Sequence, residues 1–218
     1  MKTVLKYPGA KNRIADWICH FIPKHDVYLE PFFGGGSVFF NKPWKAYIET
    51  INDLNDDVFN FFKILRDRPD DLIRAIDLTA YSRAEYDNSW SDSEGIDDVE
   101  KARRFAIKCY MSIGAGNRYK NGFRTGQQKV SPNPAKSWSG FPDVLQVASE
   151  RLKGVQIEHI DAFELIKRFD TKDVFIYLDP PYLLSTRKGN MYHHEMTDDQ
   201  HLKLLKMIVD HPIWKSYV

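Results

Sequence analysis

Val27-Tyr28-Leu29-Glu30-Pro31-Phe32-Phe33-Gly34-Gly35-Gly36-Ser37 is the stretch on which the fold turns. Its apolar start reads as a short buried strand, and residues 31–37 read as a turn that opens a helix. Glycines at such a turn let the backbone bend tightly and approach a ligand that a Cβ would block. Asp53 follows Gly34 by 19 residues, at the end of the next strand-like stretch, 45–51. That is where an α/β sheet places an acid that accepts hydrogen bonds from ribose hydroxyls. The pair suits any adenosine-bearing cofactor. A plain turn at the glycines and a helix cap at Asp53 are the simpler alternatives.

A second strand end carries a second motif. Val174-Phe175-Ile176-Tyr177-Leu178 runs directly into Asp179-Pro180-Pro181-Tyr182. In a parallel sheet, ligands sit outside the carboxyl ends of the strands. The two prolines fix φ, and the second forces the first out of the helical region, so the turn is stiff. A stiff turn can aim the Asp179 carboxylate and the Pro180 carbonyl at one point. Two converging acceptors suit an amine with two hydrogens, such as the exocyclic amine of a base, and Tyr182 offers a flat ring for stacking. A strand-ending turn with a solvent-facing tyrosine is the plainer alternative. Tyr7-Pro8-Gly9-Ala10-Lys11 and Asp161-Ala162-Phe163-Glu164 are weaker; alone they read as a solvated lysine and a capping box.

Around these motifs the apolar periodicity predicts helices at 11–21 (Ile14, Trp17, Ile18 and Phe21 on one stripe), 55–65 (Val58, Phe59, Phe62 and Leu65), 69–78 and 97–112. Alternation resumes with helix 142–152, strand 155–160, helix 162–168, the strand before Asp179, and helix 198–209. Residues 114–140 hold too much Gly, Asn, Pro and Ser for a core element and read as a functional loop. Two α/β blocks, 1–56 and 154–218, thus flank an inserted helical unit at 57–153.

The 218 residues, 43% hydrophobic and 28% charged with net charge +1, fit one sheet domain carrying an insertion and exclude a disordered chain. Cys19 and Cys109 belong to no CxxC pattern, which argues against zinc and for a reducing compartment. No apolar run approaches the roughly 18–20 residues that span a bilayer. Residues 1–9 lack the apolar core of a signal peptide, so a cytoplasmic protein is expected. The balanced charge hides an asymmetry. Seven acids and no Lys or Arg lie in 84–100; nine cations and no acid lie in 101–142. A polyanion partner and a solvated helix face followed by a basic loop account for this equally well. Under the first reading Arg118, Lys120, Arg124 and Lys129 contact phosphates.

In their order and spacing the motifs resemble those of the adenine-specific DNA methyltransferases of the Dam family, over nearly the whole chain. Tyr7-Pro8-Gly9-Ala10-Lys11 resembles the N-terminal cofactor motif, and Glu30-Pro31-Phe32-Phe33-Gly34-Gly35-Gly36-Ser37 the glycine motif. Asn52-Asp53-Leu54-Asn55 resembles the ribose-binding turn. Trp138-Ser139-Gly140-Phe141 and the following helix resemble the return from the recognition domain. Asp161 with Phe163 resembles the motif that holds the cofactor adenine, and Asp179-Pro180-Pro181-Tyr182 the catalytic motif. The resemblance implies a Rossmann-like sheet dependent on S-adenosylmethionine, with 57–153 as a mostly helical DNA-recognition domain. It implies methyl transfer to the 6-amino group of adenine in double-stranded DNA, serving DNA marking or restriction-modification in a bacterial or phage-infected cell. The cofactor would be held by Tyr7, Lys11, Phe32, Gly34, Gly36, Asp53, Asp161, Phe163 and Asp179. Asp179, Pro180 and Tyr182 would carry the chemistry. No metal is expected, His193-His194 reads as surface, and a monomer is expected.

The family's sheet continues with further strands after the catalytic motif. Only 183–218 follow here, ending in the strand-like stretch 213–218, so a C-terminally truncated sheet with an open edge and marginal stability is expected. The alternatives are an inactive DNA-binding remnant and a methyltransferase acting on RNA. A nicotinamide oxidoreductase would share the glycine turn and Asp53 but would leave Asp179-Pro180-Pro181-Tyr182 without a role.

Overall fold

Four short strands, β1 (Val27–Glu30), β2 (Ile48–Asn52), β3 (Gln156–Glu158) and β4 (Val174–Ile176), form one parallel sheet in the order β3-β2-β1-β4. The computed structural model describes residues 4–92, 94–114, 118–126, 133–186, 189 and 191–210. The expected strand at 213–218 and the expected phosphate contact Lys129 lie outside the described residues. β1 is central: Val27 pairs with Ile48 on one side and Val174 on the other. Its burial on both faces matches the unbroken apolar run that marked it.

β3 is shorter than the expected 155–160 for a visible reason. The Asn52 side chain takes over from the ladder, donating to the Ile160 carbonyl (3.1 Å) and accepting from its N–H (3.0 Å). Asn52 also donates to the Pro31 carbonyl (2.9 Å), so one buried amide ties together three strand ends.

Ten helices are described: α1 (Ala15–His20), α2 (Ser37–Asn41), α3 (Asp56–Asp67), α4 (Pro69–Asp77), α5 (Arg83–Asn88), α6 (Asp98–Met111), α7 (Pro134–Ser139), α8 (Phe141–Leu152), α9 (Ala162–Arg168) and α10 (Asp198–Val209). α3 starts at Asn55, whose side chain accepts from Asp57 N–H, and buries Val58, Phe61, Phe62, Ile64 and Leu65. Phe59, expected on that stripe, is half-buried and stacks on His159 instead. α1 departs further from expectation. It begins only at Ala15, because Gly9 at φ 75° and the Tyr7–Ala10 turn precede it. Its buried face is Ala15 and Cys19, whereas Ile14, Trp17 and Phe21 are exposed. A six-residue helix presents one narrow contact face, and α2 takes it at Cys19 and Val38. α5 and α7 are additional. α7 lies inside the stretch read as loop, although Asn133-Pro134 is a cap followed by a first-turn proline.

Residues 57–153 hold most of α3 and all of α4 to α8, and the described residues among them contribute no strand to the sheet. Their core is continuous with one face of the sheet: Tyr28, Phe33, Phe39 and Ile51 share a cluster with Phe61, Leu72, Phe105, Phe141 and Leu152. The other face packs Leu29 against Phe163, Leu165 and Ile166 of α9 and Leu204 of α10. At the start of β2, buried Glu49 accepts from Arg151 of α8 and pairs with Lys42, which follows α2 (2.7 Å). These two cations hold the Glu49 carboxyl below its usual pKa although its burial pushes the other way.

Candidate active site

The glycine turn leaves β1 with Gly34 and Gly36 in the left-handed region, at φ 51° and 68°. A Cβ on Gly36 would fall 2.5 Å from the Phe33 ring and 2.7 Å from that of Phe40. The turn is therefore required by packing and by its left-handed backbone, which is what the plain-turn reading of the glycines expects. Gly34 N–H donates to Asp53 Oδ2 (2.7 Å), and Asn55 N–H donates to Asp53 Oδ1 (2.9 Å). Asp53 is thus not the cap of α3, which is Asn55. It binds the glycine turn to the end of β2. Burial pushes its carboxyl pKa up, against the two backbone donors.

Asp179 follows β4 on the far side of β1, and the long way round the chain brings it to Lys11. Lys11 Nζ donates to Asp179 Oδ2 and to the Gly9 carbonyl (2.9 Å), and lies 4.9 Å from the Tyr182 ring centre. Burial drives the Asp179 carboxyl up and Lys11 opposes it. Burial pulls the Lys11 pKa down, but its bonds to Asp179 and Tyr182 win and hold it above the ordinary lysine value. The ammonium and carboxylate are therefore a locked pair. Glu30, at the end of β1, is 2% exposed and accepts from Tyr28 Oη (2.7 Å). Burial raises its pKa to about 8, with Asp179 and Asp53 adding to the effect.

One pocket gathers these groups. Tyr7, Lys11, Phe32, Gly34, Gly36, Asp53, Asp161, Phe163 and Asp179, all expected to hold cofactor, line it together. Pro181 lines it as well, whereas Pro180 is not part of its wall and Tyr182, 43% exposed, stands at the rim beside Lys11. Asp161 caps α9, with both N–H donors (Phe163 and Glu164) on Oδ1, as a simple cap rather than the expected capping box with Glu164. The wall also includes Glu30, Tyr192, His194, Glu195, Met196 and Gln200. His194 was expected merely on the surface; it is exposed and yet faces the pocket. Tyr192, His194, Glu195 and Met196 were not legible because 183–197 shows no period and no motif, and Gln200 lies on the expected helix 198–209 as the capping-box partner of Thr197. Glu30 had a signal, an acid closing an apolar strand. Among the described residues no group of His, Cys, Asp and Glu is arranged to hold a metal, and both cysteines are buried thiols.

The basic segment is less free than its charge suggested. Lys101 pairs with Asp98, Arg103 with Glu85 and Glu100, Arg104 with Glu100, and Lys120 with Asp87. The acid run and the cation run largely answer one another across α5 and α6. Arg124 donates to the Ser112 and Gly114 carbonyls, and Arg118 to the Tyr192 carbonyl. The loop itself folds back as a hairpin, with Ile113 N–H on Gly122 O and Arg124 N–H on Met111 O.

A parallel sheet with a pocket at its carboxyl ends, a glycine turn on one wall and an acidic turn on the other, is the arrangement of a Rossmann-like group-transfer enzyme. The chain belongs to the D12 class of N6 adenine-specific DNA methyltransferases, whose family model matches residues 7–213. It is similar to type II methyltransferase M1.LlaDCHI of Lactococcus lactis subsp. cremoris, with 31% identity over 89% of this chain and 71% of that protein. Type II methyltransferase M.MjaIII of Methanocaldococcus jannaschii is 27% identical over 94% of this chain and 78% of its own length. A DNA adenine methylase of Serratia marcescens is 38% identical over 40% of this chain and 31% of its own. Methyl transfer to adenine in DNA, with S-adenosylmethionine as the family's donor, is the activity this membership carries. Among the described residues no helix is long and apolar enough to cross a membrane.

Proposed function

We propose that the pocket between β1 and β4 binds S-adenosylmethionine and presents it to an adenine swung out of double-stranded DNA. The observation that carries this reading is the convergence of Gly34, Asp53, Asp161 and Asp179 on one pocket from four separate parts of the chain. The residues fit the cofactor: the tight glycine turn of Gly34 and Gly36 lines the wall, and Asp53 stands at the end of β2 as an acceptor for ribose hydroxyls. Phe32 and Phe163 supply apolar surface for its adenine. When bound, the cofactor supplies a methyl group already activated on a sulfonium.

The acceptor amine needs more help, because its lone pair is delocalised into the ring. Asp179 takes a hydrogen bond from that amine and, with the Pro180 carbonyl, favours a pyramidal nitrogen. Lys11, locked to Asp179, keeps the carboxylate charged although burial favours its neutral form. Tyr182 stacks on the extruded base, contributing roughly 1–3 kcal/mol toward an unstacking cost of a few kcal/mol. Residues 57–153 form the recognition unit. Its loop faces phosphates with whatever donors Lys120, Arg124 and Lys129 can still offer, Arg118 being engaged on the Tyr192 carbonyl. We further infer a monomer acting in the cytoplasm, in DNA marking or restriction-modification.

Transfer of a tritiated methyl group to unmethylated DNA, RNA and protein tests this reading, with parallel titration of S-adenosylmethionine and NAD. Label recovered as N6-methyladenine in DNA is expected. Label in RNA alone, or a pocket that takes NAD and not S-adenosylmethionine, overturns it.

A further inference from the structure

Tyr192 has no part in the motifs, yet it touches four separate pieces of the molecule. Its ring meets that of Tyr182 edge to face, with centroids 6.5 Å apart and planes at 88°. Its hydroxyl closes on Gly9 so tightly that a Cβ there would lie 2.4 Å from it. Its N–H, with that of Met191, donates to Glu195 Oε1 (2.9 and 2.8 Å), which pins the local backbone. Its carbonyl accepts from Arg118 Nη1 (3.1 Å), a residue 74 positions earlier on the loop that extends from α6. That loop is itself anchored: Gly122 N–H donates to Tyr86 Oη (3.0 Å), and Tyr81 Oη donates to the Arg124 carbonyl (2.7 Å).

We propose that Tyr192 is a positioning residue for the acceptor base, and that Arg118 is the strut that holds it, coupling the 118–126 loop to the pocket wall. The inference rests on the methyltransferase reading and adds a part to it. Tyr182 has its ring exposed at the rim; Lys11 stands over that ring and Tyr192 meets it edge to face. A base arriving there must be aligned by these neighbours. Holding reactants in near-attack geometry is worth large factors in rate, and a small displacement of a supporting group loses much of it. Arg118 reaches across to a backbone carbonyl with a half-buried guanidinium, a donor geometry suited to fixing a chain segment. A phosphate contact from the same residue would instead act uniformly on all DNA sequences.

The two roles separate in one set of measurements on the whole chain: initial rates at saturating DNA, cofactor affinity by calorimetry, and the dependence of DNA affinity on salt. Tyr192→Ala and Arg118→Met are each expected to lower kcat about tenfold or more, with the cofactor Kd within about twofold of wild type. Arg118→Lys should recover most of the loss, and the salt slope of Arg118→Met should stay that of wild type. Arg118→Met removes one bond between loops, so it keeps the test open if Tyr192→Ala does not fold. A slope flattened by about one with kcat unchanged would make Arg118 a phosphate contact and overturn the proposal. A tenfold weaker cofactor Kd in Tyr192→Ala would place the ring on the cofactor side and overturn it too. A wild type that leaves DNA unmethylated refutes the reading of the previous subsection; a methylating wild type matched by both variants refutes the roles of Tyr192 and Arg118 and leaves that reading standing.

Discussion

Asp179, Asp53 and Glu30 are three carboxylates on one pocket, and burial raises the pKa of each. Their partners separate their tasks. Asp179 meets an ammonium, Asp53 two backbone N–H groups, and Glu30 a phenol. Asp179→Ala is expected to lower methyl transfer by about 10²–10³-fold, as loss of a charge-complementary group does, while S-adenosylmethionine still binds by calorimetry. Activity within tenfold of wild type would remove Asp179 from the chemistry. Asp53→Ala strands the Gly34 and Asn55 donors, so it should cost about 1–3 kcal/mol of stability and weaken cofactor binding at least about tenfold. An unchanged cofactor affinity would leave Asp53 as a structural tie alone. Glu30 gives a pH prediction. Its folded pKa, about 8, lies above the ordinary 4.5, so the folded state holds the proton more tightly. Its contribution is complete below about pH 4.5 and is lost as pH rises through 8. Thermal melts from pH 5 to 9 should show wild type losing stability relative to Glu30→Gln; parallel curves would contradict it.

Charge and capping at the element ends tie the sheet to its helices. Glu49 on β2 holds Lys42 after α2 and Arg151 on α8, and its carboxyl stays ionised in a buried place. Glu49→Ala leaves two partly or wholly buried cations unanswered, and breaking such a cluster costs about 3–5 kcal/mol. Chemical denaturation of the variant measures this; a loss below about 1 kcal/mol would mean that water reaches the cluster. Most elements were legible because each carries its own signal: α3, α4, α6, α8, α9 and α10 fall within a few residues of their apolar periods and caps. α1 was misread because four apolar residues at helical spacing say nothing about which side meets a neighbour. Only the placement of α2 turns Cys19 inward and Trp17 outward. The glycine and aspartate motifs were legible because strand ends impose fixed chemistry. Tyr192 and Glu195 were not, because their place on the pocket depends on where a loop without period comes to rest.

At the scale of the molecule, the charge asymmetry of 84–142 turned out to be an internal arrangement as much as an outward one: Asp98–Lys101, Glu100–Arg103 and Glu100–Arg104 pair at helical spacing within α6, and only Glu85–Arg103 and Asp87–Lys120 needed α5 in place. The shared core of the helices and the sheet leads to a further expectation. Calorimetry and circular dichroism should report one coincident melting transition, whereas two separated transitions would make 57–153 a folding unit of its own. The central place of β1 also bears on how the protein is made. Ile48, one neighbour of Val27, follows it by only 21 residues, but the other, Val174, is synthesised about 150 residues later, roughly 7–30 s at ordinary elongation rates. During that interval β1 has one open side, and Lys11 has yet to meet Asp179. The nascent glycine turn is then half a binding site. Cofactor cannot protect the chain while it is being translated, and holdase chaperones meet an apolar strand waiting for its partner. A slow codon run between the segments encoding α9 and β4 would lengthen that exposure, and a fast one would shorten it.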